Sequence, residues 1–368
     1  MKDTIFTPSF GNRPGRLVGR EDVMRTFLDG LEEPAGSKER AIVLLGQRGY
    51  GKTVLLLEMA AQAKEKRFVA ASPTTVTANM PEKLIEKIQD AGEPYVKKKR
   101  GISGGSVGVF GFSAGLQFTG EVQESKSFSY KLTRLCRALN AQNMGVLLLI
   151  DELQASSPEL RELVVTYQEL VGEGLNVGIV LAGLPGAVSE TLNDKVLTFL
   201  NRANKIELEP LKTGDVEAYY LQAFQNAGVK ADEGMQKEAA VLAEGSPYLM
   251  QLIGHHMTVF ASDDGTLSEG DFRKAVSVAT ETYKNDICKT SLQPLSDADI
   301  RFLQAMDLEQ PESKISDIAA RMGVTGDYAQ QYRRRLLDAG IIETVRRGTV
   351  RFAITHLAEY LKEHYFLR

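Results

Sequence analysis

Residues 41–58 read AIVLLGQRGYGKTVLLLE, and three kinds of local structure follow one another within them. Ala41-Ile42-Val43-Leu44-Leu45 is an unbroken apolar run of strand length, the pattern of a strand buried on both faces of a parallel sheet. Gly46-Gln47-Arg48-Gly49-Tyr50-Gly51-Lys52-Thr53 matches G-x-x-x-x-G-K-[ST], and an apolar helical pattern starts at Val54. Strand, glycine-rich loop and helix make a phosphate cradle. The glycines let backbone N–H groups turn inward, and the helix presents its positive end to an anion. Lys52 is then placed for the β- and γ-phosphates and the Thr53 hydroxyl for Mg²⁺. Residues 46–54 are the predicted nucleotide-binding loop.

A hundred residues downstream, Gly145-Val146-Leu147-Leu148-Leu149-Ile150 is a second buried strand, ending in Asp151-Glu152-Leu153-Gln154. Ligands bind at the carboxyl ends of parallel strands, so Asp151 is expected beside Lys52 and Thr53. There it can hold Mg²⁺ while Glu152 polarises an attacking water.

Between and around these motifs, strands alternate with helices. Further strands are predicted at 67–75, 176–184 and 205–211, and helices at 22–31, 81–100, 127–140 and 157–171. That alternation implies an α/β fold with a parallel sheet covered by helices. Residues 1–16 are polar, with Pro8, Gly11, Pro14 and Gly15, and read as an extended arm over the surface. The predicted helix over 81–100 ends in Lys97-Lys98-Lys99-Arg100, read as a solvated end. Residues 101–120 alternate glycine with Val and Phe at a period near two, which suggests a β-hairpin or a mobile insertion.

After Pro210-Leu211 only helical patterns follow, at 213–227, 234–244, 248–261 and 269–284. The expected organisation is an ATPase domain over 1–211, an all-α lid over 212–292 and a third unit over 293–368. In that last unit Ile315, Ile318, Ala319 and Met322 share a helix face and 323–326 turn the chain. Asp327 is read as the cap of a second helix that packs through Tyr328, Tyr332 and Leu336. The runs 342–345 and 350–354 flank Arg346-Arg347-Gly348-Thr349 as a hairpin. The pattern is a winged helix-turn-helix.

Composition narrows the function classes. With 43% hydrophobic and 25% charged residues and a net charge of −4, the chain reads as a globular protein with no global basic signature. Nucleic-acid contact would need a local patch. No apolar window reaches the ~20 residues of a membrane helix, so no membrane partner is expected, and the first 16 residues do not read as a signal peptide. Cys136 and Cys288 are far apart and lack C-x-x-C or Cys/His spacing, which points to reduced thiols and a cytoplasmic location.

The order Gly19-Arg20-Glu21, GQRGYGKT, LLLIDELQ, FLNRANKIELEPL, GSPYLMQLIG and a terminal winged helix resembles the archaeal-type ATPases of the AAA+/STAND group, which are related to origin-recognition initiator ATPases. The resemblance implies ATP and Mg²⁺ as cofactors and ATP/ADP exchange as the switch. It places Val18 and Gly19 beside the adenine and Pro247 of Gly245-Ser246-Pro247 at the nucleotide from the lid. It also matches Arg202 to the arginine that reaches a neighbouring subunit's γ-phosphate. Arg202 and Pro247 have ordinary readings too, as a surface residue and as the first turn of a helix capped by Ser246.

Two departures bear on rate. The strand over 176–184 ends Leu181-Ala182-Gly183-Leu184, without the Asn, Ser or Thr that orients the lytic water in many relatives, and no arginine lies near Gly245. Both favour a slow switch over a motor, with Gln154 as a stand-in for the missing polar group. Gln330, Gln331, Arg333, Arg334 and Arg335 on the second helix, with Arg346, Arg347 and Arg351 on the wing, form a local basic cluster suited to double-stranded DNA. Winged helices of this group also serve as protein contacts or as clamps on a closed state. The protein-binding alternative, with assembly into a homo-oligomer or onto a partner, therefore stays open.

Overall fold

The computed structural model describes residues 5–8, 15–96, 112–114, 116–118, 120–153, 157–192, 194 and 197–366 of the 368-residue chain. Strands β1 (Ala41–Leu45), β2 (Phe68–Ala70), β3 (Thr74–Thr75), β6 (Gly145–Leu153), β7 (Val177–Gly183) and β8 (Asn204–Glu207) form one parallel sheet. Its order is β2, β6, β7, β1, β8, with β3 also on β6. The two strands expected to carry the site are therefore not neighbours: β7 lies between β1 and β6, with Val43 opposite Leu181 and Leu148 opposite Ile179.

Period-two alternation along each strand divides the core into two layers. Ala41, Val43, Val146, Leu148 and Ile150 face one cluster, shared with helices α3 (Met80–Gly92), α5 (Phe128–Asn140) and α6 (Pro158–Gly172). Ile42, Leu44, Leu147 and Leu149 face the other, shared with α1 (Glu21–Glu32) and α2 (Lys52–Ala63). Apolar runs without polar interruption mark strands that are covered on both sides.

Several boundaries differ from expectation, each for a local reason. The segment 67–75 is two short strands, because Pro73 lies between Phe68–Ala70 and Thr74–Thr75 and cannot donate to a ladder. The helix expected over 81–100 stops at Gly92 and passes into a 3₁₀ turn, Glu93–Tyr95, at Pro94. Residues 97–100 lie outside the described residues. Within the Gly-rich segment, β4 (Phe112–Ala114) and β5 (Gln117–Phe118) pair antiparallel. Leu116 and Phe118 are buried, and the Gln89 Nε2 amide donates to the Leu116 carbonyl at 2.7 Å. Residues 101–111, 115 and 119 and Gln154 lie outside the described residues. Helix α4 (Gly120–Ser125) leads from the hairpin to α5, and α7 (Pro185–Leu192) follows β7.

Four long helices come next: α8 (Thr213–Ala227), α9 (Glu233–Leu242), α10 (Pro247–Phe260) and α11 (Glu269–Tyr283). A π-turn, Lys284–Lys289, and the short α12 (Thr290–Leu292) continue α11. The last segment runs α13 (Asp297–Ala305), β9 (Ser313–Lys314), α14 (Ile315–Met322), α15 (Gly326–Asp338), β10 (Ile342–Arg346), β11 (Thr349–Phe352) and α16 (Leu357–Tyr365). Its three strands form an antiparallel sheet in the order β10, β11, β9. Here Thr325, not Asp327, caps α15: the Tyr328 N–H donates to the Thr325 hydroxyl at 3.3 Å, and Tyr328 is exposed. Gly340, at φ 66°, ends the helix as its left-handed C-terminal residue.

The arm is not a purely surface feature. Phe6 is 1% exposed and packs into the α8–α11 layer against Tyr219, Tyr220 and Phe224. One continuous hydrophobic cluster runs from Phe6 through α8–α11 to α13–α16. Lys284 reinforces that junction. It is 5% exposed and forms ion pairs with Glu363 at 2.8 Å, Glu359 at 3.6 Å and Glu281 at 3.7 Å, so the π-turn is tied to α16.

The last segment also returns to the half that holds the parallel sheet. A Cβ added at Gly186 in α7 would lie 2.3 Å from the Asp338 Cα and 2.6 Å from the Leu337 carbonyl of α15. Alanine favours a helix interior over glycine by about 1 kcal/mol, so Gly186→Ala strengthens α7 while forbidding this contact. The expected result is a larger radius of gyration by small-angle scattering with unchanged helix content. An unchanged radius would show that the contact is dispensable.

Candidate nucleotide site

The phosphate loop takes its shape from two left-handed glycines, Gly49 at φ 79° and Gly51 at φ 80°, the second being the N-cap of α2. At Gly51 the need is conformational, since an added Cβ would meet Pro247 no closer than 3.9 Å. Lys52 opens the helix and folds back into the loop, where its Nζ donates to the Gly46 carbonyl at 2.7 Å and the Gln47 carbonyl at 2.9 Å. Burial pulls its pKa down to about 8; Asp151 and Glu152 raise it and Arg48 lowers it further. A cation held this way is short of negative partners.

The second motif arrives at the end of β6. The Thr53 hydroxyl donates to Asp151 Oδ2 at 2.6 Å, and the Glu152 N–H donates to Asp151 Oδ1 at 2.8 Å. Asp151 is 6% exposed, Glu152 exposed. Glu152 has φ 51°, uncommon for a residue with a Cβ, and the register between β6 and β7 slips between Ile150 and Leu153. This local strain turns the glutamate out of the ladder at the end of the strand.

Above the loop, a cavity of about 880 Å³ is lined by Arg48, Gly49, Tyr50, Gly51, Lys52, Thr53, Val54, Asp151 and Glu152 on the sheet side. Val18, Leu211, Pro247, Tyr248, Met250 and Gln251 close it from the α1 approach and the lid. Ser246 caps α10, its hydroxyl accepting from the Leu249 N–H at 3.3 Å, and this sets Pro247 over the loop. Gly245, at φ 71°, packs on Pro210 and Leu211 with no room for a side chain, its missing Cβ falling 2.6 Å from Pro210. The π-turn contributes Asp286 and Ile287, α12 contributes Thr290, and α15 contributes Asp338 with Ala339 just beyond it. Gly183 and Leu184 occupy the place on β7 where the sequence lacks a polar group.

The predicted residues do not all meet. Gly46 and Gln47 lie under the loop and serve Lys52 through their carbonyls. Gly19 sits outside the lining, against Leu211 and Asp215. Arg202 is exposed on a 3₁₀ turn before β8 and does not line its own chain's cavity. Of the cluster on α15 and the hairpin, Gln330, Gln331, Arg334, Arg346 and Arg347 are exposed, but Arg346 pairs with Glu312 at 2.9 Å. Arg333 donates to Thr344 at 2.9 Å and Gln330 at 3.3 Å, and Arg335 pairs with Asp299. Arg351 pairs with Glu343.

The sequence also hid several members of the site. Arg20 is buried, donating to the Glu209 carbonyl at 2.9 Å, with its pKa lowered by burial. Tyr248 donates to Asp286 at 2.6 Å across the lid, and burial, then that carboxylate, raises its pKa. Tyr50 has its pKa raised first by burial and next by the charge of Glu343 on the hairpin. Such pairings join separate elements, 189 residues apart for Arg20 and Glu209 and 38 for Tyr248 and Asp286, which no local pattern encodes.

Fold and site together are those of a P-loop nucleoside triphosphatase. Residues 16–180 match the family described as AAA ATPase domain, which supports nucleotide binding in the first half of the chain. Residues 285–361 match a family described as a domain of unknown function (DUF8462). No match is found among curated proteins. Among solved structures, the chain is similar to a Walker-type ATPase of Pyrococcus abyssi, with 18% identity, TM-score 0.70, 98% of this chain and 100% of that chain covered. It is also similar to the ORC2 protein of Aeropyrum pernix in ADPNP-ADP complexes, with 18% identity, TM-score 0.65 and 97% and 96% covered. Cdc6p from Pyrobaculum aerophilum follows with 18% identity, TM-score 0.51 and 97% and 95% covered. At these identities the likeness is one of fold.

The residues present fit a nucleotide's phosphates with Mg²⁺. Lys52 is a half-buried cation whose hydrogen-bond partners are carbonyls alone, and Thr53 with Asp151 offers a hydroxyl and a carboxylate oxygen side by side. Mg²⁺ commonly keeps several waters and takes one or two carboxylates plus phosphate oxygens. Accordingly, among the described residues no group of three or more His, Cys, Asp or Glu could hold a metal. Bound, the ion would neutralise phosphate charge.

Two outcomes follow. A phosphate anion beside Lys52 restores its proton affinity, so titration calorimetry in buffers of differing ionisation heat should show proton uptake on nucleotide binding near pH 8. Affinity should fall as pH rises through about 8. Uptake of zero at that pH would contradict the assignment. Lys52→Ala should weaken nucleotide binding by about 10–100-fold, the range for a lost charge-assisted hydrogen bond.

Proposed function

We propose that the protein is an ATP-binding, slowly hydrolysing switch ATPase of the AAA+/STAND kind, whose C-terminal winged helix contacts double-stranded DNA in a nucleotide-dependent way. The observation that carries the reading is the seating of the C-terminal unit on the phosphate loop. Asp338 and Ala339 line the cavity, and an added Cβ on Gly340 would lie 3.1 Å from Gln47 Oε1. A change at the phosphates therefore has a mechanical route to α15 and the hairpin.

In this reading Lys52 binds the phosphates, Thr53 and Asp151 hold Mg²⁺, and Glu152 polarises the water. Gly183 and Leu184 leave that water without a second polar partner, which supports slow turnover. Arg202, exposed on its own chain, supplies a neighbour's site only if the protein assembles. Gln330, Gln331, Arg334 and Arg347 form the exposed part of the DNA-facing set; Arg333 and Arg346 would join it by exchanging their present partners for phosphates. A second reading, a regulatory ATPase whose C-terminal unit and Gly-rich hairpin bind protein, draws support from those internal pairings, which leave fewer cations for DNA.

Duplex binding measured with ATP, ADP and no nucleotide separates the two. The DNA reading expects affinity that depends on the nucleotide, is insensitive to it in Lys52→Ala, and falls with salt. Replacing Arg334 and Arg347 by alanine should flatten the salt dependence by about two phosphate contacts. No duplex binding at low salt in any state would sink it and favour the protein-binding reading. Glu152→Gln should lower ATP turnover by about 100-fold or more with little change in ATP affinity; equal losses in both would remove Glu152 from the chemistry.

A further inference from the structure

The N-terminal arm is built into the lid. The Phe6 ring meets Tyr219 and Tyr220 edge-on at 5.7 and 5.9 Å and Phe224 at 5.3 Å. Its seat exists because α10 carries a glycine there: a Cβ on Gly254 would fall 2.2 Å from the ring. On either side, the Thr7 N–H donates to the buried Gln251 Oε1 at 3.0 Å, and His255 hydrogen-bonds the Phe6 backbone. Phe6, Thr7 and Gly254 are thus specified by ring shape, backbone polarity and the absence of a side chain.

The anchored segment then enters the nucleotide cavity. Thr7 and Pro8 line it together with Val18, Leu211, Met250 and Gln251. Lys52, Thr53 and the loop glycines occupy the phosphate end, whereas this half offers apolar side chains edged by the Gln251 amide and by Arg16 and Arg20, which also line it. A flat, largely apolar ring with polar edges suits such surroundings.

We infer that residues 5–8 are a strap that completes the base-binding half of the cavity, and that Phe6 seated over Gly254 holds the strap in place for a purine base. The inference rests on the nucleotide reading of the cavity. It places the determinant of base affinity outside the phosphate loop, in a tetrapeptide that couples base to lid. Phe6 and Gly254 are positioning residues: neither lines the cavity, and both act through Thr7 and Pro8.

The experiment compares ATP with inorganic tripolyphosphate, each with Mg²⁺, by titration calorimetry on the full chain. Tripolyphosphate engages the charged end alone. Phe6→Ala and Gly254→Ala should each weaken ATP by about tenfold or more and leave tripolyphosphate within about twofold. In the Phe6→Ala background Gly254→Ala should add little, because the atom it collides with is gone. Circular dichroism confirms folding, and if Gly254→Ala fails to fold the comparison rests on Phe6→Ala. Parallel losses for both ligands, or an unchanged ATP affinity, would overturn the strap. Wild-type protein that binds tripolyphosphate as tightly as ATP would overturn it while the phosphate site stands. Binding of neither ligand would overturn the nucleotide reading and the strap with it.

Discussion

A lysine ammonium drawn partly out of water is the constraint on which the rest of the architecture depends. Lys52 is held by the carbonyls of Gly46 and Gln47, and a half-buried charge with only neutral acceptors gains from an anion that completes its shell. The surrounding elements all serve to place it. Left-handed Gly49 and Gly51 turn the loop, β1 and α2 fix its ends, and the Thr53–Asp151 hydrogen bond locks the loop to β6 across the intervening β7. The lid and the C-terminal unit then close over it, so the cavity's roof is drawn from three separated parts of the chain.

That construction gives the site its mechanical character. The lid layer and the terminal unit share one hydrophobic cluster, and Lys284 with its three carboxylates ties the π-turn to α16. The pair can move together more readily than apart. The terminal unit touches the parallel-sheet half through Gly186 against the end of α15, Gly340 over Gln47, and the hairpin charges near Tyr50, while the lid layer meets it at Pro247 beside Gly51 and at Gly245 on Pro210 and Leu211. A strong internal joint lets these contacts be made and broken together, as a two-state closure needs.

Much of this was legible in the sequence because its signals are local. Five-residue apolar runs, a glycine-rich loop and a carboxylate pair at a strand end each carry their own physical reason, and they identified the sheet, the phosphate loop and Asp151. Features without a local signal were lost. Phe6 stands with Ile5 and Phe10 among Pro, Gly and polar residues at no regular spacing, so no periodicity marked it as core; its reason lies at Gly254. The left-handed Glu152 follows from a register slip with β7. Asp327 reads as a cap in the sequence, and only the backbone course into α15 gives that role to Thr325 of the preceding turn. Arg333 and Arg335 read as free cations because Thr344 and Asp299, which take them up, lie on other elements.

The central claim is that nucleotide at Lys52 governs how the C-terminal unit sits on the ATPase half. Single-molecule energy transfer between dyes on cysteines introduced at Glu65, beyond the end of α2, and at Arg347, at the hairpin tip, tests it most directly. The native thiols would not compete, since Cys136 and Cys288 are buried and burial raises the pKa of both, that of Cys288 to about 12. Two populations whose ratio differs between ATP and ADP, and whose difference vanishes in Lys52→Ala, are the predicted result. A single population unchanged by either nucleotide would contradict the account.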